Sequence, residues 1–493
     1  VVAAAGLLLG TAACAPPAEP GTRSISIGIG GELDVNWNPL AAAWSVSPTL
    51  QAVYDGLFLF DPATREYIPW LAEEFELSDD GLTLSLVLRD DVDFVDGVHM
   101  DAEGVAEYFT TLLASDGYAF GFDVDKFGLQ FTPTAEYTLD ITSVLPIRDD
   151  ILFTFWGNLS QTPVASPESL KTPEVFAEGP VGSGPYVIKK QRFDTITFER
   201  NPDYWNPEAF DFDEVTVTAF ADRIAAFNAL KAGQIDVTAI DISMAADAEA
   251  SGFDLTFSRQ AFVGLYIADR DGSQVPALAD VRVRQAMSMA LDREAINEAI
   301  NNGYGAVGTE PFTEDQIGYV EEAEDRNDYD LEDAKELMAE AGYADGFDLT
   351  IPTPAYLSGA EPYFPIIQQS FSEIGIRVTY EPSQDLFRDM ADGKYAVAPS
   401  GGPFSWVWSL LPLLWGGYND ARVEELVATM EGTLSKDEYE QTVDELGEIY
   451  VNELWFVVVA QPYEVYATNA EVDVARLDVS TDTPILRDYT AAD

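Results

Sequence analysis

A mixed α/β fold of more than one lobe is what this sequence predicts, and three observations carry that expectation. Strand-period and helix-period segments alternate from about residue 24 to the C-terminus, with no second linker and no internal repeat. The chain has 493 residues, enough for two to four domains or one large multi-lobed unit. Its composition is 47% apolar and 12% aromatic, which supplies a large core in spite of a formal net charge of −60. That charge excludes a nucleic-acid partner, because the longest basic run is Lys189-Lys190 and an acidic surface repels phosphate. It favours solubility and implies no reaction.

The elements follow in order. Leu82, Leu84, Leu86 and Leu88 alternate with polar or smaller residues, the period of a half-buried strand, and DDVDFVDG then supplies a turn. Ile196 with Phe198, and Val215 with Val217, give further strands. Ile224, Phe227 and Leu230 mark a helix face that should stop at Gly233, before a short strand beginning at Ile235. Asp330 can cap a helix carrying Leu331, Ala334, Leu337, Met338 and Ala341 on one side, with Gly342 ending it. Ile366, Ile367, Phe371 and Ile374 outline another helix, followed by a strand with Ile376, Val378 and Tyr380 on one side. Leu454–Ala460 is a continuous apolar run, as expected of a strand covered on both faces.

Residues 2–13, VAAAGLLLGTAA, are small and apolar. They number about a dozen, where a membrane span needs roughly 20. They resemble the end of a signal peptide, so 1–13 is assigned that role. Thr11-Ala12-Ala13-Cys14 then sets the single cysteine behind small residues and ahead of the Pro-rich APPAEPGTRS. This resembles a bacterial lipobox, with residues 14–23 as lipid-attachment cysteine and tether. The resemblance implies a diacylglycerol on Cys14 and an extracytoplasmic protein anchored to the cell membrane, in the periplasm or at the outer face of the cytoplasmic membrane. A buried or merely exposed thiol is the alternative reading of Cys14. One cysteine excludes an internal disulfide.

Six phrases in fixed order carry a wider resemblance. They are YDGLF at Tyr54–Phe58; IPWLAEEFELSDDGLTLSLVLRDDVDFVDG after it; GSGPY at Gly182–Tyr186; FERNPDYW at Phe198–Trp205; ALKAGQIDV; and DVRVRQAMSMALDREAI at Asp280–Ile296. Together they resemble the extracellular solute-binding proteins of ABC importers, family 5, the peptide/nickel type. Each phrase also has a structural reading. Gly182 and Gly184 permit turn conformations closed to other residues, and Arg282, Arg284 and Arg293 are expected to form ion pairs rather than touch a ligand. The resemblance implies a bilobed periplasmic-binding-protein type II fold with an extra small domain. Domain I is expected from 24–50, 181–257 and 461–493, the extra domain II from 51–180, and domain III, the second lobe, from 258–460.

Catalysis has little to work with. His99 is the only histidine and sits beside the DFVDG turn, apart from any Ser and Asp that could complete a triad, so a solvent-facing turn role is expected. With 86 acids, carboxylate pairs arise by chance. DRNDYDLED, Asp325–Asp333, imitates a calcium loop but lacks Gly at the sixth position, and helix initiation explains it better. The chain is therefore read as a non-enzyme without metal or cofactor.

The informative cluster is SGGPFSWVWSLLPLLWGGY, Ser400–Tyr418, where Trp406, Trp408 and Trp415 lie among paired glycines. Stiff rings in a loop can grasp an organic solute, and core packing is the competing account. In peptide-binding relatives this stretch carries a Trp closely followed by an Asp for the peptide ammonium; here Ser409 and Leu410 follow Trp408, which departs from the pattern. Nickel is disfavoured for want of His or Cys ligands. Expected ligand contacts are Trp44, Ser45, Phe262, Tyr266, Phe404, Trp406 and Trp408. The expected protein is a monomeric receptor that takes an oligopeptide or similar uncharged-to-cationic solute to ABC permease subunits. An oligosaccharide receptor is the alternative within the class. An extracellular hydrolase and a structural or adhesive surface lipoprotein are the alternatives outside it.

Overall fold

The computed structural model describes residues 22–33, 37–39, 48–61, 66–114, 128–146, 164–258, 262–312, 317–354, 361–402, 420–433, 435–474, 484 and 486–492. Strand β1 (Ser24–Gly30) buries Ile25 and Ile27 and sits at the centre of the largest sheet. The chain then builds a separate four-stranded sheet from β2 (Ala72–Leu77), β3 (Thr83–Leu88), β4 (Gln130–Ala135) and β5 (Thr138–Thr142), in the order β2-β3-β5-β4. The leucine alternation in β3 does what its period requires: Leu84, Leu86 and Leu88 are buried beside Leu139 and Ile141 of β5. Helix α1 (Ala102–Leu113) supplies the same core with Val105, Tyr108, Phe109 and Leu112. It starts where Asp101 accepts the Gly104 N–H at 2.7 Å.

Returning to the first sheet, the chain adds β6 (Tyr186–Gln191), β7 (Thr195–Arg200), β8 (Glu214–Phe220), β9 (Val237–Ile240) and β10 (Asp254–Ser258). Between β8 and β9 runs helix α2 (Arg223–Lys231), capped by Asp222. Phe227 and Leu230 are buried, as expected, and Gly233 takes φ +65 just past the helix end. Ile224 differs from expectation: it is 58% exposed, because in the first turn the buried face runs through Ala226, Phe227, Ala229 and Leu230. The strand predicted to begin at Ile235 starts at Val237.

Beyond β10 the chain leaves the large sheet and builds a second part, expected above to be the second lobe, from β11 (Phe262–Ile267), α3 (Val281–Met289) and α4 (Arg293–Asn301). Helix α5 (Leu331–Glu340) starts on Asp330, whose side chain accepts the Glu332 and Asp333 N–H groups, so the DRNDYDLED stretch is a helix start. Strands β12 (Asp348–Pro354) and β13 (Arg377–Ser383) form a parallel pair. β14 (Val397–Gly402) and β15 (Phe456–Ala460) flank β11 in a three-stranded sheet. Helix α6 (Ala421–Gly432) lies between these last two in sequence. All five residues of β15 are buried, because the sheet is covered on both faces. Leu265, Ile267, Val397, Val457 and Val459 face one core, while Phe262, Tyr266, Ala398, Phe456 and Val458 face another. Strand β16 (Glu464–Thr468) then re-enters the first sheet, which reads β10-β16-β9-β1-β8-β7-β6.

Four of the six sequence phrases meet at one buried carboxylate. Asp55 is 5% exposed and accepts four hydrogen bonds. Trp70 Nε1 and Tyr204 OH donate to Oδ1 at 2.8 and 3.0 Å, and Ser183 Oγ and Trp205 Nε1 donate to Oδ2 at 3.2 and 3.4 Å. Burial pushes the Asp55 carboxyl up to about 6, and these four donors limit the rise. Arg89 caps the outer face of the Trp205 ring at 4.1 Å, and Arg487 lies 5.8 Å over Trp70. Gly182 and Gly184 serve a different need from the turn role expected of them. Neither has positive φ; a Cβ at Gly182 would lie 2.1 Å from the Val53 carbonyl oxygen, and one at Gly184 2.3 Å from the Val53 carbonyl carbon. They are glycines because two backbones touch.

The arginine phrase divides in a similar way. Arg282 pairs with Asp280 at 2.6 Å, as expected. Arg284 and Arg293 are buried and fasten their helices through main-chain carbonyls: Arg284 donates to Glu453 O, just past a helix end, and to Leu278 O, and Arg293 to Val458 O of β15, Ser288 O and Leu291 O. Burial draws the Arg284 guanidinium down to about 10.

Candidate functional site

Both passages between the large sheet and the second lobe leave from one edge of that sheet. β10 ends at Ser258 and β11 begins at Phe262; β15 ends at Ala460 and β16 begins at Glu464; and Ser258 pairs with Glu464. The carboxyl ends of β1, β8 and β9 point to the same edge, where open α/β sheets present their ligand sites. Gly30 allows the start of α2 to approach closely, since a Cβ there would lie 2.6 Å from Arg223 N. Arg223 then reaches Glu464 at 2.9 Å and Asp241 at 3.8 Å, and Tyr466 OH donates to Glu464 at 2.9 Å. One guanidinium between two carboxylates leaves this edge negative. The Asp241 side chain is 53% exposed and keeps lone pairs free for an ammonium or N–H donor.

Around the passages the lobes are clasped. Tyr304, which follows α4, stacks on Phe257 of β10, with centroids 5.6 Å apart and planes at 13°, and donates from its hydroxyl to Glu249 at 2.9 Å. Asn302, in the left-handed region at φ 50, donates to Ser243 O at 2.8 Å. Gln461, inside the returning passage, donates to Glu310 O and accepts from Ala306 N–H, each at 2.9 Å. These contacts position the segment that must deform if the lobes open and close.

The expected contact residues distribute as follows. Cys14, Trp44, Ser45, Phe404, Trp406 and Trp408 lie outside the described residues. Phe262 and Tyr266 are both 0% exposed and pack on Phe456, at 5.7 and 5.3 Å between centroids. Phe262 pairs with Gly402, so the Trp-rich stretch starts beside the first passage, and Asp420 caps α6 at its far end. Ser400 Oγ, buried on the same strand as Gly402, has no hydrogen-bond partner among the described residues. Arg223, Asp241, Glu464 and Ser400 were not singled out from sequence, since only strand order brings the first three together. His99 is held in its turn by Asp93 at 2.7 Å and Tyr137 at 3.2 Å, with no hydroxyl nucleophile of Ser or Thr in that chain of bonds. A surface cavity of 430 Å³ lined by Glu103, Glu107, Thr110 and Thr111 lies along α1, beside the four-stranded sheet.

Residues 66–421 match the bacterial extracellular solute-binding proteins, family 5. The chain belongs to this family. Among curated relatives, di/tripeptide-binding protein 1 of Pseudomonas aeruginosa is 26% identical over 399 residues, 73% of each chain. Among solved structures, the NikA protein of Brucella suis in complex with Fe(III)-EDTA superposes with a TM-score of 0.80 at 18% identity, over 95% of this chain and 99% of that one. The oligopeptide-binding protein AppA of Bacillus subtilis, in complex with a nonapeptide, gives 0.74 at 19% identity, with 95% and 99% covered. The fold is the bilobed type II periplasmic-binding-protein fold, with mixed α/β content. Family and structural neighbours are binding proteins.

Proposed function

We propose that this family 5 protein captures an oligopeptide or peptide-like solute between its lobes and delivers it to an ABC permease without covalent chemistry. The observation that carries this is the family match over residues 66–421, joined to a topology in which both passages flank one open sheet edge. The di/tripeptide-binding relative supports the peptide class. The exposed carboxylate of Asp241 suits a solute ammonium, a role that the Trp-rich stretch cannot fill with an acid of its own. In this reading Trp44, Ser45, Phe404, Trp406 and Trp408 contact the solute, and Phe262 and Tyr266 supply the aromatic backing where that stretch leaves the sheet. Domains I, II and III divide as given above, the working form is a monomer, and Cys14 carries the lipid that holds it at the membrane.

A thermal-shift screen with peptides, oligosaccharides and metal salts tests the reading, because a ligand at 100 times its dissociation constant stabilises the native state by about 2.7 kcal/mol. The expected outcome is a shift with short peptides alone. A shift only with oligosaccharides would replace the solute class, and turnover of the added peptide would replace the function.

A further inference from the structure

The hairpin joining β6 to β7 ends in Arg192-Phe193-Asp194, and Phe193 is 98% exposed. An aromatic ring left wholly in water gains nothing for folding. Its flanks are equally unusual. In a chain with 86 acids and 26 bases, most basic side chains among the described residues are held by carboxylates; even Lys189, on the same hairpin, pairs with Glu214 at 2.8 Å and Glu199 at 3.7 Å. Among the described residues Lys190 and Arg192 meet no ion-pair, side-chain hydrogen-bond or ring partner, and both are exposed. A bulge between Ile188 and Lys190 offsets the strand at this point.

Strand register fixes where this tip lies. Thr195 pairs with Thr218, near the carboxyl end of β8, and β8 runs parallel to β1, so the tip stands at the sheet edge from which the chain passes to the second lobe. The passages occupy β10 and β16 at one end of the strand order and the tip occupies β6 and β7 at the other. Five strand spacings, from the middle of one pair to the middle of the other, put roughly 24 Å between them. The tip is thus at the carboxyl-end edge of the large sheet, at the far end of the strand order from the passages.

We infer that this tip is a docking contact for the permease: Phe193 enters an apolar socket and Lys190 and Arg192 meet carboxylates around it. A protein partner fits better than a lipid surface. The two exposed bases make a local positive spot on a chain of net charge −60, and the delivery role requires the permease, not bare lipid, to face the edge from which a solute is released. The inference rests on the delivery role proposed above.

The test uses the full chain in its native cells. With the photo-crosslinking residue p-benzoylphenylalanine in place of Phe193, irradiation is expected to give an adduct with a multi-spanning membrane protein, while the same residue in place of exposed Val144 gives none. In parallel, Phe193→Ser and the double change Lys190→Glu with Arg192→Glu should lower uptake of radiolabelled trialanine about tenfold, as loss of an interface anchor does. Their melting temperatures and trialanine affinities should match the parent. A lipid adduct would make the tip a membrane contact, an adduct to the second lobe would make it a closing latch, and no adduct with unchanged uptake would leave it without a partner; each overturns the inference. If the parent protein fails to bind trialanine, the peptide reading falls, and the crosslink still decides the docking site.

Discussion

The Asp55 junction and the sheet edge around Asp241 treat carboxylates in opposite ways. Asp55 is shut away from water and answered by four donors on three other phrases of the chain. Asp241 follows a central strand, stays half in water and has a single distant arginine at 3.8 Å. The first arrangement can have only one set of partners, and the residues that make it lie in the phrases that resemble the family. The second leaves valence open. The difference teaches that the recognisable phrases build the frame, while lone pairs free to meet a solute remain where a carboxylate is left half in water.

Changes at the two places should separate accordingly, with the largest effect at the junction. Asp55→Asn keeps the shape but offers one acceptor oxygen to four donors and adds two N–H groups, so a loss of about 4 kcal/mol is expected in chemical denaturation. The same variant tests the pH dependence. The folded-state pKa of Asp55 is raised to about 6 from 3.8, so the fold disfavours the carboxylate. Its contribution is a penalty fully present above pH 6 and relieved as pH falls from 6 to below 3.8. That amounts to about 3 kcal/mol of relative stability gained on acidification, which Asp55→Asn lacks. A stability difference between the two proteins that does not change between pH 7 and pH 4 would contradict the buried, charged assignment.

Gly184→Ala sharpens the same side of the comparison. Its Cβ meets the backbone of Val53, which cannot rotate away, so a cost of about 3 kcal/mol is expected with no effect on ligand affinity once the protein is folded. At the open edge the pattern reverses. Asp241→Asn should leave the melting temperature of the free protein within about a degree and weaken binding of a peptide with a free amino terminus roughly tenfold, the value of a charge-assisted hydrogen bond. An N-acetylated peptide should show no such difference. The smallest effect belongs to Tyr304→Phe, which removes the hydroxyl bond to Glu249 but keeps the stack on Phe257. It should change stability by about 0.5 kcal/mol and shift the balance between open and closed lobes, read as altered scattering without ligand.

Much of the frame is legible in the sequence because local periodicity decides it. The leucine alternation of β3, the Asp330 cap of α5 and the apolar run of β15 each follow from spacing alone. Gly182 and Gly184 were legible as indispensable but not for the right reason, since crowding by Val53 is a contact between segments more than 120 residues apart. Arg284 and Arg293 look like surface ion-pair partners in an acidic chain, yet they tie their helices to main-chain carbonyls more than 160 residues away, at a helix end and on β15. The site was the least legible part. Arg223, Asp241 and Glu464 stand on three separate stretches and become neighbours only through the order of strands in the sheet. The tryptophan cluster announces a special segment, but nothing in its spacing tells packing from binding.

Native mass spectrometry of the purified chain with a randomised tripeptide library bears most directly on the claim that a solute is enclosed and released unaltered. The account predicts one peptide per chain and, after denaturation, released peptides with the masses supplied. Cleaved peptides, or no complex at millimolar library, would contradict it.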